Sequence, residues 1–444
     1  MSDHDRVYLR LLDQVKKLPV VDCHEHMMGP MRPKQTEPIT SLIMFYLMSD
    51  LDSASFGMPA KDLAKIADPG VPTDVKWPLF EQLWKRTEHT AYARSTKRVL
   101  QRVYGEKEMS RAVLEKVAAR LEATTEESVL REIDAANIQA LIIDGVGWEN
   151  ASIGAYLAGT KVFPAKYRPM IALPGFHPMT FGAGAIWYVG GLADRWITSL
   201  DEYLEAVFSI FQRLIDRGAI GFKDQSAYER EISYAPVAKG DAERLFNQVL
   251  ADPRSSLGFP EGRVLNDFLF HQYMRFARDL KKPVQIHTGH MAGVYNRVDK
   301  TNAAHFASVL EVHRETRFDL FHGNWPYLGD YLFLAKNYAN VALDLCWVHI
   351  IDPYYSIELL ERAVQTVPHS KIHGFGGDFY GGDFGDMVEF PAAHLEQAQE
   401  NIARALANLV EKGWLEEEQA CGLAKAWLYD NPNAFFGLGL PDVE

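Results

Sequence analysis

Eight short apolar runs, most of them followed by a helical pattern, constrain the fold more than any other feature of this chain. They are Pro19 to Cys23, Ile138 to Asp144, Arg168 to Leu173, Ala219 to Lys223, Pro283 to His287, Arg317 to His322, Val341 to Leu345 and Lys371 to Gly376. Near-continuous apolar runs suit parallel strands that are buried on both faces. Helical stretches separate them, among them Leu200 to Arg217, Asn266 to Leu280, Ala303 to Arg314, Tyr327 to Tyr338 and Ser356 to Val367. Eight alternating units predict an α/β chain folded as a closed (β/α)8 TIM barrel. A barrel of this kind can occupy all 444 residues as a single domain.

Two segments break the alternation. Residues 27 to 130 are too long for a plain strand-to-helix connection and hold helix-like pieces such as Lys76 to Thr90 and Thr96 to Gly105. They are expected to form a helical insertion after the first strand that walls or caps a pocket. Gly175 to Arg195, rich in Gly and aromatic residues, is expected to be a loop on the same face. After Gly382 the pattern is helical again, over Pro391 to Lys412 and Glu416 to Tyr429, giving extra C-terminal helices on the outside of the barrel.

Composition limits the partners. The formal net charge is -13 and the Lys and Arg residues are scattered, which argues against nucleic acid. No apolar run has the length of a membrane span. Cys23, Cys346 and Cys421 are an odd number in a long chain, so no disulfide framework is expected. The polar start, Met-Ser-Asp-His-Asp-Arg, does not read as a signal peptide, and the expected location is cytoplasmic. The apolar insertion raises a homo-oligomer as a hypothesis, which a clean monomer in light scattering would remove.

The ends of the runs collect metal-ligating residue types. His24 and His26 end the first run, two positions apart, so both project to one side of a strand. Lys223 ends the fourth, His287 the fifth and His322 the sixth, and the eighth leads into Asp378. Active sites of such barrels form at the carboxyl ends of the strands. Four imidazoles and a carboxylate can hold two divalent ions if something bridges them. A carbamylated lysine could do so, whereas an ammonium would repel both ions. Lys223 could instead pair with Asp224 or bind a substrate carboxylate.

This order of ligands resembles the amidohydrolase superfamily of metal-dependent hydrolases. Gly221-Phe222-Lys223, Gln285-Ile286-His287-Thr288-Gly289 and Phe321-His322-Gly323-Asn324-Trp325-Pro326-Tyr327 are similar to the branch containing the amino-terminal domain of FluG and nodulin-like proteins. The closing Asp430-Asn431-Pro432-Asn433-Ala434-Phe435-Phe436-Gly437 resembles that branch as well, and the likeness covers nearly the whole chain. The long insertion is similar to that of uronate isomerases, which are non-hydrolytic relatives.

The resemblance implies that His24, His26 and Asp378 hold the more buried metal, and that carbamylated Lys223 bridges to a second metal on His287 and His322. In a one-metal form His24, His26, His287 and Asp378 would be the ligands and His322 would face the substrate. Asp378 would take the proton from metal-bound water and pass it to the leaving group. Zinc is the first expectation, with manganese, iron or nickel also suited to these ligands, at one or two ions per chain.

Other residues have competing readings. Arg230, His290 and Arg297 could grip an anionic part of the substrate or form ordinary ion pairs. Trp325, Trp347 and Tyr380 could line the pocket or simply pack. Cys23 reads as a small buried filler, and Glu25 as facing away from the two histidines. Asp344 and Asp383 could orient ligands. The expected function is hydrolysis of an amide, lactone or related carbonyl bond in a small polar substrate. A decarboxylase, a uronate-type isomerase and a non-catalytic metal-binding scaffold are the alternatives.

Overall fold

A computed structural model of the chain describes residues 3–26, 36–43, 46–147, 153–379 and 389–443. Eight parallel strands form one sheet in sequence order. They are β1 (Val20–Glu25), β2 (Ile138–Val146), β3 (Tyr167–Ala172), β4 (Gly221–Asp224), β5 (Val284–Ile286), β6 (Phe318–Leu320), β7 (Val341–Asp344) and β8 (Ile372–His373). Each coincides with one of the eight predicted runs. The last strand turns back to the first, where the Cys23 N–H donates to the Phe375 carbonyl at 3.0 Å and the Asp378 N–H to the His24 carbonyl at 2.8 Å. The sheet is thus a (β/α)8 TIM barrel.

The surrounding helices follow from apolar stripes and caps. In Leu200–Asp216, Tyr203, Ala206, Val207, Ile210, Phe211 and Leu214 are buried, a spacing of three and four that puts one face on the barrel. The Ser199 hydroxyl accepts from the Glu202 N–H and caps the start. Between β1 and β2 run seven described helices, from Pro38–Ile43 to Glu126–Ala135. A buried ion pair, Lys76 to Glu37 at 2.6 Å, ties this segment together. Two of its tyrosines reach the barrel mouth: the Tyr46 hydroxyl donates to the Gly377 carbonyl at 3.1 Å, and the Tyr92 hydroxyl lies 3.3 Å from His290 Nε2.

The stretch from Gly175 to Arg195 differs from the expected loop. It contains a helix, Ala183–Ala193, and a two-residue strand, Phe181–Gly182, paired with Ser256–Leu257. One of its glycines serves packing. A Cβ on Gly190 would lie 2.8 Å from the Arg195 carbonyl oxygen, so the small residue permits a close approach. The C-terminal helices are present as Glu389–Glu411, Glu417–Lys425 and Asn431–Phe436. Tyr429 and Phe436 pack with Val21, Cys23, Ile142 and Met170 of the first three strands. Among the described residues no helix is long and apolar enough to cross a membrane.

Candidate metal centre

The end of β1 is irregular. Its register against β2 shifts between Asp22 and Glu25, the kind of local disruption that re-aims side chains beside sites. His24 Nε2 and His26 Nε2 stand 3.3 Å apart. Asp378 Oδ1 lies 3.4 Å from the first and 3.0 Å from the second. Donors held roughly 2.0–2.1 Å from a tetrahedral ion are about 3.3 Å from one another, so this trio has the spacing of a metal site. Asp378 has a φ of 51°, a strained value for a residue other than glycine, and its N–H bond to His24 helps to hold it there.

The charges are set by mutual contact. Burial keeps the His24 imidazole neutral, well below its ordinary pKa. Burial also opposes the charging of His26, but the Asp378 hydrogen bond and charge outweigh it and raise the value. Burial works against the Asp378 carboxylate, yet the neighbouring imidazoles hold it well below the usual carboxyl range.

His287 and His322 form the second half. His287 Nε2 is 2.8 Å from the His290 carbonyl, and His322 Nδ1 is 3.1 Å from the Cys346 carbonyl. A carbonyl only accepts, so each of those nitrogens carries the hydrogen. The remaining nitrogens, His287 Nδ1 and His322 Nε2, then face each other as lone pairs at 3.2 Å. Burial drives both rings to the neutral form, His287 well below its ordinary value and His322 to about 3. His322 Nε2 is also 3.8 Å from Asp378 Oδ2, which joins the two halves.

Lys223 is buried beside them, with its ammonium 3.5 Å from the centre of the Phe321 ring. Burial lowers its proton affinity, while Asp378 and Asp144 act the other way. The alternative pairing with Asp224 is not formed. That carboxylate is held by His177 at 2.9 Å and by the Ser226 N–H at 3.0 Å.

His26, Lys223, His287 and Asp378 border a cavity of about 390 Å³. Its polar lining is His26, Asp144, Lys223, Gln225, His287 and Asp378, and Tyr46, Tyr228, Ala292 and Trp347 supply the rest. Asp144, Tyr46, Gln225 and Tyr228 are absent from the sequence-based site. Asp144 had a usable signal, since it ends the second apolar run. The tyrosines had none, because the segment that carries Tyr46 packs on the mouth only in the folded chain.

The substrate contacts expected from sequence divide. Arg230 is a correction: it is buried, its guanidinium pairs with Asp267 at 2.6 Å, and it donates to Asn266 and to the Ser233 carbonyl. It is a structural ion pair, outside the cavity lining. Arg297 is another correction, an exposed residue paired with Asp299 at 2.7 Å. The His290 ring packs against Trp325 and Trp347, and burial lowers its pKa to about 4. Its carbonyl, rather than its ring, serves the site by fixing His287. The Trp325 indole donates to Asp352 at 3.3 Å and backs His290 without lining the cavity. Trp347 does line it. Tyr380 and Asp383 lie outside the described residues. Asp344 caps the Cys346 N–H at 2.7 Å. Glu25, on the other side of β1, accepts from the Phe379 N–H at 2.7 Å and steadies the segment that carries Asp378.

Residues 253–438, which include His287, His322 and Asp378, match the family model described as amidohydrolase. The match takes in the last four strands of the barrel and leaves out β1 to β4. The chain is a TIM barrel whose carboxyl-terminal part is similar to the amidohydrolase family. Among curated proteins, the chain is 27% identical to protein fluG of Emericella nidulans over 235 residues. That match covers 51% of the chain and 26% of fluG, so it spans about a quarter of that protein. Three solved structures share the fold along nearly their whole length. Uronate isomerase from Thermotoga maritima has a TM-score of 0.73 at 16% identity, covering 97% of both chains. Glucuronate isomerase from Caulobacter crescentus has a TM-score of 0.72 at 18% identity, covering 99% of this chain and 95% of that one. A putative metal-dependent hydrolase from Lactobacillus casei has a TM-score of 0.65 at 14% identity, covering 96% and 97%.

Proposed function

We propose that this barrel is an amidohydrolase-type, metal-dependent hydrolase acting on an amide, lactone or related carbonyl bond of a small substrate. The observation that carries the reading is the convergence of metal-ligating nitrogens and a carboxylate at the mouth of the barrel. His24, His26 and Asp378 stand at metal-ligand spacing, and His287 and His322 oppose bare nitrogens at 3.2 Å. A divalent ion bound there supplies acidified water and polarises the carbonyl. Zinc is the first candidate for these nitrogen and oxygen ligands.

The residues of the chain do the rest. Asp378, ionised and bonded to His26, accepts the proton of the attacking water and returns it to the leaving atom. The rings of Tyr46, Tyr228 and Trp347 shape the cavity and exclude bulk water. In a one-ion site, Lys223 and His322 face the substrate, and Lys223 supplies the one cationic side chain among the described lining residues. In a two-ion site, Lys223 would be carbamylated and would help to hold both ions. A buried amine of lowered proton affinity is suited to taking up carbon dioxide.

A second reading, aldose–ketose isomerisation, rests on the full-length likeness of fold to uronate isomerases. Against it, both arginines expected to grip a substrate anion are engaged elsewhere. The deciding experiment is a panel of amides, lactones, aromatic carboxylic acids and uronates, assayed with and without chelator. Metal-dependent consumption of water supports the hydrolase, isomerisation supports the second reading, and carbon dioxide release would identify a lyase. No metal-dependent turnover across the panel would favour the scaffold.

A further inference from the structure

Asp144 has no part in the ligand order that defines this site, yet its position ties it to the metal centre. It sits on β2, where the register against β3 shifts between Ile143 and Val146. The neighbouring irregularity on β1, between Asp22 and Glu25, contains His24. Two adjacent parallel strands are thus disrupted at the same end of the barrel. Such a disruption turns a side chain out of the regular alternation. The outcome is that an Asp144 carboxylate oxygen and one ring nitrogen each of His24 and His26 all lie within 4.8 Å of one another. Asp144 is fully buried, lines the cavity, and accepts from the Gln225 amide at 3.4 Å. Its negative charge acts on both His26 and Lys223. A carboxylate so buried is costly unless a cation or strong donors offset it.

We infer that Asp144 is a further carboxylate of the metal centre, contributed by β2 and serving the ion or its bound water alongside Asp378. This rests on the metal-dependent reading above. It adds a role that neither the His-x-His pair nor the late-strand ligands supply. Gln225 is the positioning residue that orients Asp144.

The test is zinc affinity, which requires no substrate. Chelator-stripped wild-type protein, Asp144→Asn, Asp144→Glu and Gln225→Leu are titrated with zinc against a chromophoric competitor, and apoprotein melting is recorded for each. Loss of a carboxylate that serves a metal weakens binding by roughly 10- to 100-fold. The expected result is a loss of that size for Asp144→Asn at unchanged apoprotein melting, partial recovery in Asp144→Glu, and a smaller loss in Gln225→Leu. Should Asp144→Asn fold poorly, a tighter dissociation constant for wild type than for Gln225→Leu still supports the role. Wild-type affinity in both Asp144→Asn and Gln225→Leu overturns it. Wild-type protein that binds no zinc, manganese or cobalt overturns the metal-dependent reading itself.

Discussion

His287 Nδ1 and His322 Nε2 face each other at 3.2 Å, with each ring's N–H already donated to a backbone carbonyl. Two lone pairs so placed repel unless a cation lies between or beside them. Removing metal should therefore destabilise the fold. At an ion concentration a thousand times the dissociation constant, binding stabilises by about 4 kcal/mol. Calorimetry of stripped protein, with and without added zinc, should show a clear rise in melting temperature. His287→Ala should show a much smaller one.

Arg230 and Arg297 read alike in sequence and differ in the fold. Arg230→Met breaks a buried ion pair and leaves Asp267 with only the longer Arg263 contact at 3.6 Å and the Ala235 N–H, so the cost should approach the roughly 3–5 kcal/mol of a broken buried pair. Arg297→Ala removes an exposed pair and should leave the denaturation midpoint and the turnover unchanged. A rise in KM from Arg297→Ala without loss of stability would restore it as a substrate contact.

Gly377 is squeezed between the metal-centre backbone and two buried carboxyls. A Cβ there would run into Glu25 Oε1 and stand 3.3 Å from Asp22 Oδ2. Burial pushes both carboxyls up, Asp22 to about 7, and their other oxygens accept from the Gly377 and Phe379 N–H groups. Gly377→Ala should displace Asp378 next to it and abolish tight zinc binding. Competition titration provides the check, and wild-type affinity would show that the segment adjusts freely.

Legibility in the sequence followed the range of the interactions. The strands were readable because a run buried on both faces must be apolar along its whole length. The ligands His24, His26, His287, His322 and Asp378 were readable because barrel chemistry gathers at strand ends. The helix Ala183–Ala193 was not, because one of its glycines answers to the packing of Gly190 on Arg195, a contact visible only once folded. The choice between the two readings of Arg230 was illegible for a related reason, since Asp267 lies on a helix well separated in sequence. Tyr46 enters the site through the long segment after β1, whose docking no local pattern announces.

The His271–His313 pair gives a pH dependence away from the metal. Their rings stack, with Nδ1 and Nε2 2.8 Å apart. Burial lowers both values, that of His313 to about 3. The unfolded chain, with histidines near about 6.5, then binds more protons than the folded one. This contribution to stability is complete above the unfolded value and is lost as pH falls from there towards 3. Denaturant midpoints should fall across that window, and His313→Gln should flatten the slope. An unchanged slope would exclude the pair as a cause.

The most direct test of the central claim is elemental analysis of metal per chain, on protein purified without chelator from cells supplied with divalent metal. The account predicts at least one tightly held ion per chain, lost in the His24→Ala His26→Ala double variant. Two would assign Lys223 to the bridge, and one would leave it facing the substrate. Protein that holds no ion, even after reconstitution, would contradict the account.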